Sequence, residues 1–365
     1  MFTSRQFITA ESGFDSARHL PGLPLAHPCR GLHGHGFKAH VRASLPAGWA
    51  SFPGAEAHEL AEHLRAAVAP LDKILLNDRV EDPGDVSLGR WIFARPELPA
   101  LAQLGVRSSA TSGVELGAAG EAWVWRRYAF QSAHRLPHVP LGHKCGRMHG
   151  HGFEAVVMAR MGEAEASHLA ADRLDEHWAP LHHALNYGCL NELPGLENPT
   201  SEILSRWIWD RLCTPVQGLA SVKVYETASC GAHYDGQVHR IWKDFHIDSA
   251  LRLRHAPAGH PLARLHGHTW TLRLHLCAPL DPLRGWAIDF GEVKEKFRPV
   301  FKALDHHALH EHLPDLTDCD PATVSSWVLA QARAVLPAVD RIDLFDNNGA
   351  GAIACAGEVL PLPGL

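Results

Sequence analysis

The sequence predicts an α+β protein made of three consecutive copies of one β-β-α-α-β-β unit, each an antiparallel sheet with two helices on one face. Three observations carry this. The string ARHLPGLPLAHPCRGLHGH at 17–35 returns as AHRLPHVPLGHKCGRMHGH at 133–151 and as ALRLRHAPAGHPLARLHGH at 250–268, with no gap and with His-Gly-His at a constant offset. Apolar and polar residues alternate on both sides of each string, which is the period of a strand. Segments of helical period then follow, and further alternating segments close each copy.

The elements come in the same order each time. AWVWRRYAFQSAHRL and VHRIWKDFHIDSALRL predict the opening strands of the second and third copies. FKAHVRASL, FEAVVMARM and TWTLRLHLCA predict the strand after His-Gly-His in the three copies. AEAHELAEHLRAAVAPL and GEVKEKFRPVFKAL predict the first helix. The second helix opens at NPTSEILSRWIWDRL, with Asn198 expected as cap and Pro199 as first residue, and at DPATVSSWVLAQARAVL by the same logic. VKVYETAS plus a hairpin, and RIDLFDNN plus AIACAGEV, predict the closing strands. The copies are expected at 1–121, 122–237 and 238–365. A lone four-stranded sheet leaves two open edges, and three copies joined edge to edge would close a ring.

Composition excludes several classes. Nearly half the residues are apolar and the net charge is −6, without a Lys/Arg block, so no nucleic-acid partner is expected. No apolar run is long enough to cross a bilayer, so no membrane partner is expected either. The start MFTSRQFITAESGF lacks the apolar segment of a secretory leader, and the eight cysteines have no paired spacing. A cytoplasmic location is the expectation.

The 28 histidines direct attention to metal chemistry. His149 and His151 are two apart on a strand and share a face, while His134 ends the preceding strand. Three imidazoles with an open fourth position suit a catalytic zinc. Cys145 lies in a Gly-rich loop beside Lys144 and Arg147, whose charges would favour a thiolate. By spacing alone Cys145 serves equally as catalyst, fourth ligand or inert thiol. Glu226 ends the strand VKVYE, where spacing alone leaves a solvated charge as the ordinary reading.

FQSAHRLPHVPLGHKCGRMHGHGFEAVV, LNELPGLENPTSEILSRWIWD and VKVYETAS in the second copy resemble the 6-pyruvoyl-tetrahydropterin synthase / 6-carboxytetrahydropterin synthase family. The third copy resembles it through LHGH, GWAIDFGEVKEKF and ALDHHAL, and the first copy more weakly. The resemblance implies the tunnelling fold, a barrel of three units, here pseudo-trimeric in one chain with helices outside, and two such barrels stacked as a homodimer. It implies zinc on His134, His149 and His151, Cys145 as catalytic thiol, Glu226 as pterin anchor, and an Asp-His pair meeting the thiol across a unit boundary. Cys-x-x-x-His-Gly-His is similar to the carboxy branch, which converts 7,8-dihydroneopterin triphosphate with loss of triphosphate and acetaldehyde in the queuosine pathway. The pyruvoyl-forming synthase and a non-catalytic pterin- or zinc-binding homologue are the alternatives.

The copies depart from that pattern in complementary ways. The second has LNYG, with Asn186 and Tyr187, where the Asp-His pair belongs. The third keeps Asp305 and His306 but has Leu251 for the first ligand, Leu262 for the cysteine and Asp346 for the anchor. The first keeps Cys29, His33 and His35 but has Arg18 as first ligand and Lys73 for the paired histidine. One complete site per chain is therefore expected, with Asp305 and His306 of the third copy facing Cys145 of the second.

Overall fold

A computed structural model describes residues 4–162 and 165–356. The first repeat contributes β1 (Ser4–Arg18), β2 (His33–Ala43), α1 (Glu56–Val68), α2 (Asp85–Phe93), β3 (Leu101–Ser109) and β4 (Ser112–Gly117). The second contributes β5 (Ala122–His134), β6 (His149–Arg160), α3 (Ser167–Leu185), the short β7 (Gly188–Cys189), α4 (Ser201–Leu212), β8 (Leu219–Thr227) and β9 (Cys230–Tyr234). The third contributes β10 (His239–Leu251), β11 (His266–Cys277), α5 (Phe290–Leu304), the one-turn α6 (Leu309–His312), α7 (Pro321–Val335), β12 (Val339–Asp346) and β13 (Gly351–Ala356). The tail of the expected closing strand, Gly357–Val359, lies outside the described residues.

The sheet runs β4-β3-β2-β1-β13-β12-β11-β10-β9-β8-β6-β5, and β4 pairs with β5 to close it. The result is a closed antiparallel barrel of twelve strands, with β7 appended in parallel to β5. The three junctions are equivalent: β4 meets β5, β9 meets β10, and β13 meets β1. No repeat keeps an open edge, which removes the liability of a lone four-stranded sheet. The register is the same in each repeat, Ile8 facing Ala43, Val124 facing Ala159 and Ile241 facing Leu276.

Alternation along each strand sorts side chains between two surfaces. In β1, Ile8, Ala10 and Phe14 pack outward with Leu60 and Leu64 of α1. Thr9 and Glu11 therefore face into the barrel. Helix α5 buries Val293, Phe297, Val300 and Leu304, one stripe of an otherwise polar helix. Asp320 caps α7 by accepting from the Ala322 and Thr323 amides, with Pro321 first in the helix as the sequence suggests. In α4 the cap is Thr200, whose hydroxyl accepts from Ile203, and not Asn198. The Asn198 amide instead donates to the Arg284 carbonyl of the third repeat, so contact between repeats displaced the local cap.

Candidate active site

The β5–β6 pairing sets His134 opposite His149 and Ser132 opposite His151. All three imidazoles thus converge at one end of the barrel wall. One ring nitrogen from each lies within 4.8 Å of the others, and this is the metal-capable group found among the described residues. His134 is buried at 1% exposure, and its Nδ1 donates to the Pro199 carbonyl at 3.2 Å. His149 Nδ1 donates to the Arg147 carbonyl at 2.8 Å. Such bonds fix the tautomer that leaves Nε2 as a lone pair. The Nε2 atoms of His134 and His151 are buried without a hydrogen-bond partner. Burial, ahead of the neighbouring imidazoles, holds both histidines below the ordinary value, in the neutral form a metal requires. Three converging imidazoles, two preset by carbonyl bonds and two with an orphaned Nε2, fit a metal ion such as zinc, and Cys145 is not among the converging atoms.

Glu226, at the end of β8, brings Oε1 to 3.6 Å from His151 Nε2. Its Oε2 accepts the Ser201 hydroxyl at 2.7 Å. Cys145 sits on the turn Lys144–Gly146. Its amide donates to His143 Nδ1 at 3.2 Å, and its carbonyl accepts from Leu136. The positive neighbours do not win at the thiol. Burial first, then Glu226 and Asp289, raise Cys145 above its ordinary value, while Lys144 only partly opposes them.

Segment 283–289 of the third repeat crosses this site. The Leu283 carbonyl accepts from His138, the Gly285 carbonyl accepts from Thr200, and the Ala287 amide donates to Glu202 Oε1 at 2.9 Å. Asp289 Oδ2 stands 3.7 Å from His143 Nε2. Burial pushes the Glu202 carboxyl up to about 7, with Glu226 adding to the rise. His143, Ser201, Glu202 and Asp289 were not singled out from sequence. The signal lay in GHKC, NPTSE and GWAIDF, but their meeting is a contact between repeats.

Among the described residues, no hydrogen bond or ion pair joins Asp305 or His306 to Cys145, and both sit against their own repeat. Asp305 Oδ2 lies 2.9 Å from His306 Nδ1, and His306 has a side chain 76% exposed. His306 borders a hollow of about 530 Å³ with Asp248, His268 and Thr269 of its own repeat. The assignment of positions holds: Lys73, Tyr187 and His306 share a left-handed φ near 58°, at 57°, 58° and 59°. The expected contact fails because the part of the third repeat lying over the Cys145 turn is the α5 start, not the α5 end.

Among the described residues, neither of the other two repeats brings three ligand groups together. In the first, Arg18 is buried where His134 would be, donates to the Pro83 carbonyl at 2.9 Å and pairs with Asp85 at 2.7 Å. Its second amino group lies 3.2 Å from His168 of the second repeat. Burial would raise Asp85, but Arg18, His168 and Ser108 together hold it below its ordinary value. In the third, Leu251 is buried in the ligand position, and His268 lies 3.9 Å from Asp346.

The model of the 6-pyruvoyl tetrahydropterin synthase family matches residues 123–237 and again 240–355. The chain belongs to that family. Within the family, it is 35% identical over 119 residues to 6-carboxy-5,6,7,8-tetrahydropterin synthase of Synechocystis sp., a match covering 30% of this chain and 91% of that one. The solved 6-pyruvoyl tetrahydropterin synthase of Caenorhabditis elegans aligns at 15% identity and TM-score 0.30, over 33% of this chain and 96% of that chain. Uricase from Arthrobacter globiformis aligns at 12% identity and TM-score 0.34, over 61% of this chain and 81% of that chain. No helix among the described residues is long and apolar enough to cross a membrane.

Proposed function

We propose that this chain is a zinc-dependent 6-carboxy-5,6,7,8-tetrahydropterin synthase acting on 7,8-dihydroneopterin triphosphate, with one metal site per chain, in the second repeat. The observation that carries the reading is the converging trio His134, His149 and His151, the first two preset by carbonyl bonds on Nδ1. A bound zinc would supply Lewis acidity to the substrate's side-chain hydroxyls. Cys145 is the group that takes a side-chain proton. Glu226, steadied by Ser201, accepts the N–H edge of the pterin ring and sets the side chain over the histidines. Glu202 of the second repeat and segment 283–289 of the third wall the site and exclude water. The relative at 35% identity and the Cys-x-x-x-His-Gly-His spacing favour the carboxy product over the pyruvoyl one.

Asp305 and His306 enter this reading from a second chain. The barrel end that carries Cys145 also exposes Leu25, Leu32, Leu141, Met148, Tyr187 and Leu265. A ring of exposed apolar groups is a surface for association. Two barrels stacked end to end, a homodimer of pseudo-trimers, would let the Asp305–His306 pair of one chain relay protons at Cys145 of the other. Burial is absent at His306, and the Asp305 carboxylate raises its imidazole above the ordinary value.

The deciding experiment incubates zinc-loaded protein with 7,8-dihydroneopterin triphosphate and identifies the products. Carboxytetrahydropterin, acetaldehyde and triphosphate are expected, with Cys145→Ala lowering the rate by about 10²–10⁴. Cys29→Ala should leave the rate near wild type. Metal analysis should give close to one zinc per chain. Three zincs per chain, or no turnover by the loaded protein, would overturn the reading.

A further inference from the structure

The interior of the barrel is filled unevenly at its three junctions. Where the first repeat meets the second, Trp125 lies opposite Gly113. Where the second meets the third, Trp242 lies opposite Gly231. Each indole covers its glycine so closely that a Cβ added there would stand 2.6 Å from a ring carbon. Both tryptophans are buried. Trp242 also meets Tyr225 edge-on at 4.8 Å and lies beneath the Arg273 guanidinium at 5.3 Å.

At the closing junction, the matching pair is Thr9 opposite Gly351. The register there is the same as at the other two, so Thr9 holds the position of the tryptophans. Phe345 holds the position of Tyr225, since it pairs with Thr271 as Tyr225 pairs with Glu154. With threonine in place of indole, a cavity of about 380 Å³ opens between Thr9 and Phe345. Its size falls within the range of small-molecule sites.

The lining supplies both faces and an edge. Phe345 is an aromatic wall, and Arg42, Arg107 and the Thr9 and Thr271 hydroxyls are polar groups around it. Three carboxylates lie nearby: Glu11 is paired with Lys38 and Arg107, Asp343 with Arg341 and His275, and Asp346 accepts from the Asn348 and Ala350 amides. With these carboxylates set against Arg42 and Arg107, a neutral polar edge is better matched than a charged one. Guanidinium over ring is the arrangement already used around Trp242, and it favours an electron-rich aromatic.

We propose that this cavity binds a planar fused two-ring heteroaromatic molecule, of indole or purine type, whose ring takes the place of the missing tryptophan beside Thr9 and against Phe345. The site is separate from the histidine cluster of the second repeat and stands whatever reaction that cluster performs.

The test is calorimetric titration of the zinc-loaded full chain with indole and with xanthine. Binding of at least one of them at one equivalent, with Kd below about 1 mM, is expected. Thr9→Trp fills the cavity as the other two junctions are filled. It should weaken that binding by about tenfold or more, while Tm stays level or rises by a few degrees. Failure of both probes to bind the wild type, or equal binding by Thr9→Trp, would overturn the proposal. Should Thr9→Trp not fold, 5-bromoindole soaked into wild-type crystals decides: bromine between Thr9 and Phe345 supports the site, and bromine elsewhere or nowhere refutes it.

Discussion

Arg18 and His134 end equivalent strands and bond to equivalent carbonyls, those of Pro83 and Pro199. A guanidinium there brings its own positive charge and satisfies Asp85, whereas an imidazole leaves a lone pair for a cation. Arg18→Met would strand the Asp85 carboxylate in a buried setting, and a loss of about 3–5 kcal/mol is expected by urea unfolding. Zinc content should not change. A second test concerns Glu202, raised from 4.5 to about 7 by burial. The folded state holds a proton that the unfolded chain releases, so this group's contribution to stability is full below pH 4.5 and is lost as pH rises through 7. Glu202→Gln keeps an acceptor for the Ala287 amide and removes the charge. It should flatten that slope and add about 1–3 kcal/mol at pH 8, read from denaturation at several pH values. A slope unchanged from wild type would show that Glu202 is not the group responsible.

At the level of elements, the glycines facing the tryptophans are tightly constrained. A Cβ at Gly231 would meet the Val224 carbonyl oxygen at 2.0 Å and the Trp242 ring at 2.6 Å. Gly231→Ala should cost about 1–3 kcal/mol through displacement of the β9–β10 seam. Gly267→Ala, whose nearest contact is 3.7 Å away, should be close to neutral; equal melting temperatures for the two variants would contradict the packing described. The strands and helices were legible in sequence because each repeat states them again with the same period. The histidine trio was legible for the same reason, since two of the histidines share a strand and the third ends its neighbour. What local pattern could not supply was everything decided between repeats. Asn198 reads as a cap until Arg284 takes its amide, and Asp289, which caps α5, carries no local sign that His143 of the second repeat stands beside it. Lys144 and Arg147 suggest a thiolate at Cys145, but two carboxylates and burial, from outside that turn, raise it.

For the whole molecule, the placement of His306 away from Cys145 makes assembly a chemical question. Cys145→Ala and His306→Ala chains, each inactive alone, should regain part of the wild-type rate when mixed and allowed to exchange. Light scattering should report twice the mass of one chain, and Leu141→Glu on the exposed rim should yield single barrels with zinc still bound. Mixed chains that stay inactive, with exchange verified, would return the search for the proton relay to His143 and Asp289 inside the chain.

The ring closed by β13 on β1 has one further result. In an assembly of identical subunits, a change of residue is copied to every seam at once, and any fault is tripled. Here the three seams are encoded separately. An arginine can neutralise one metal position, a leucine another and a threonine can hollow one seam, while the remaining positions keep their original chemistry.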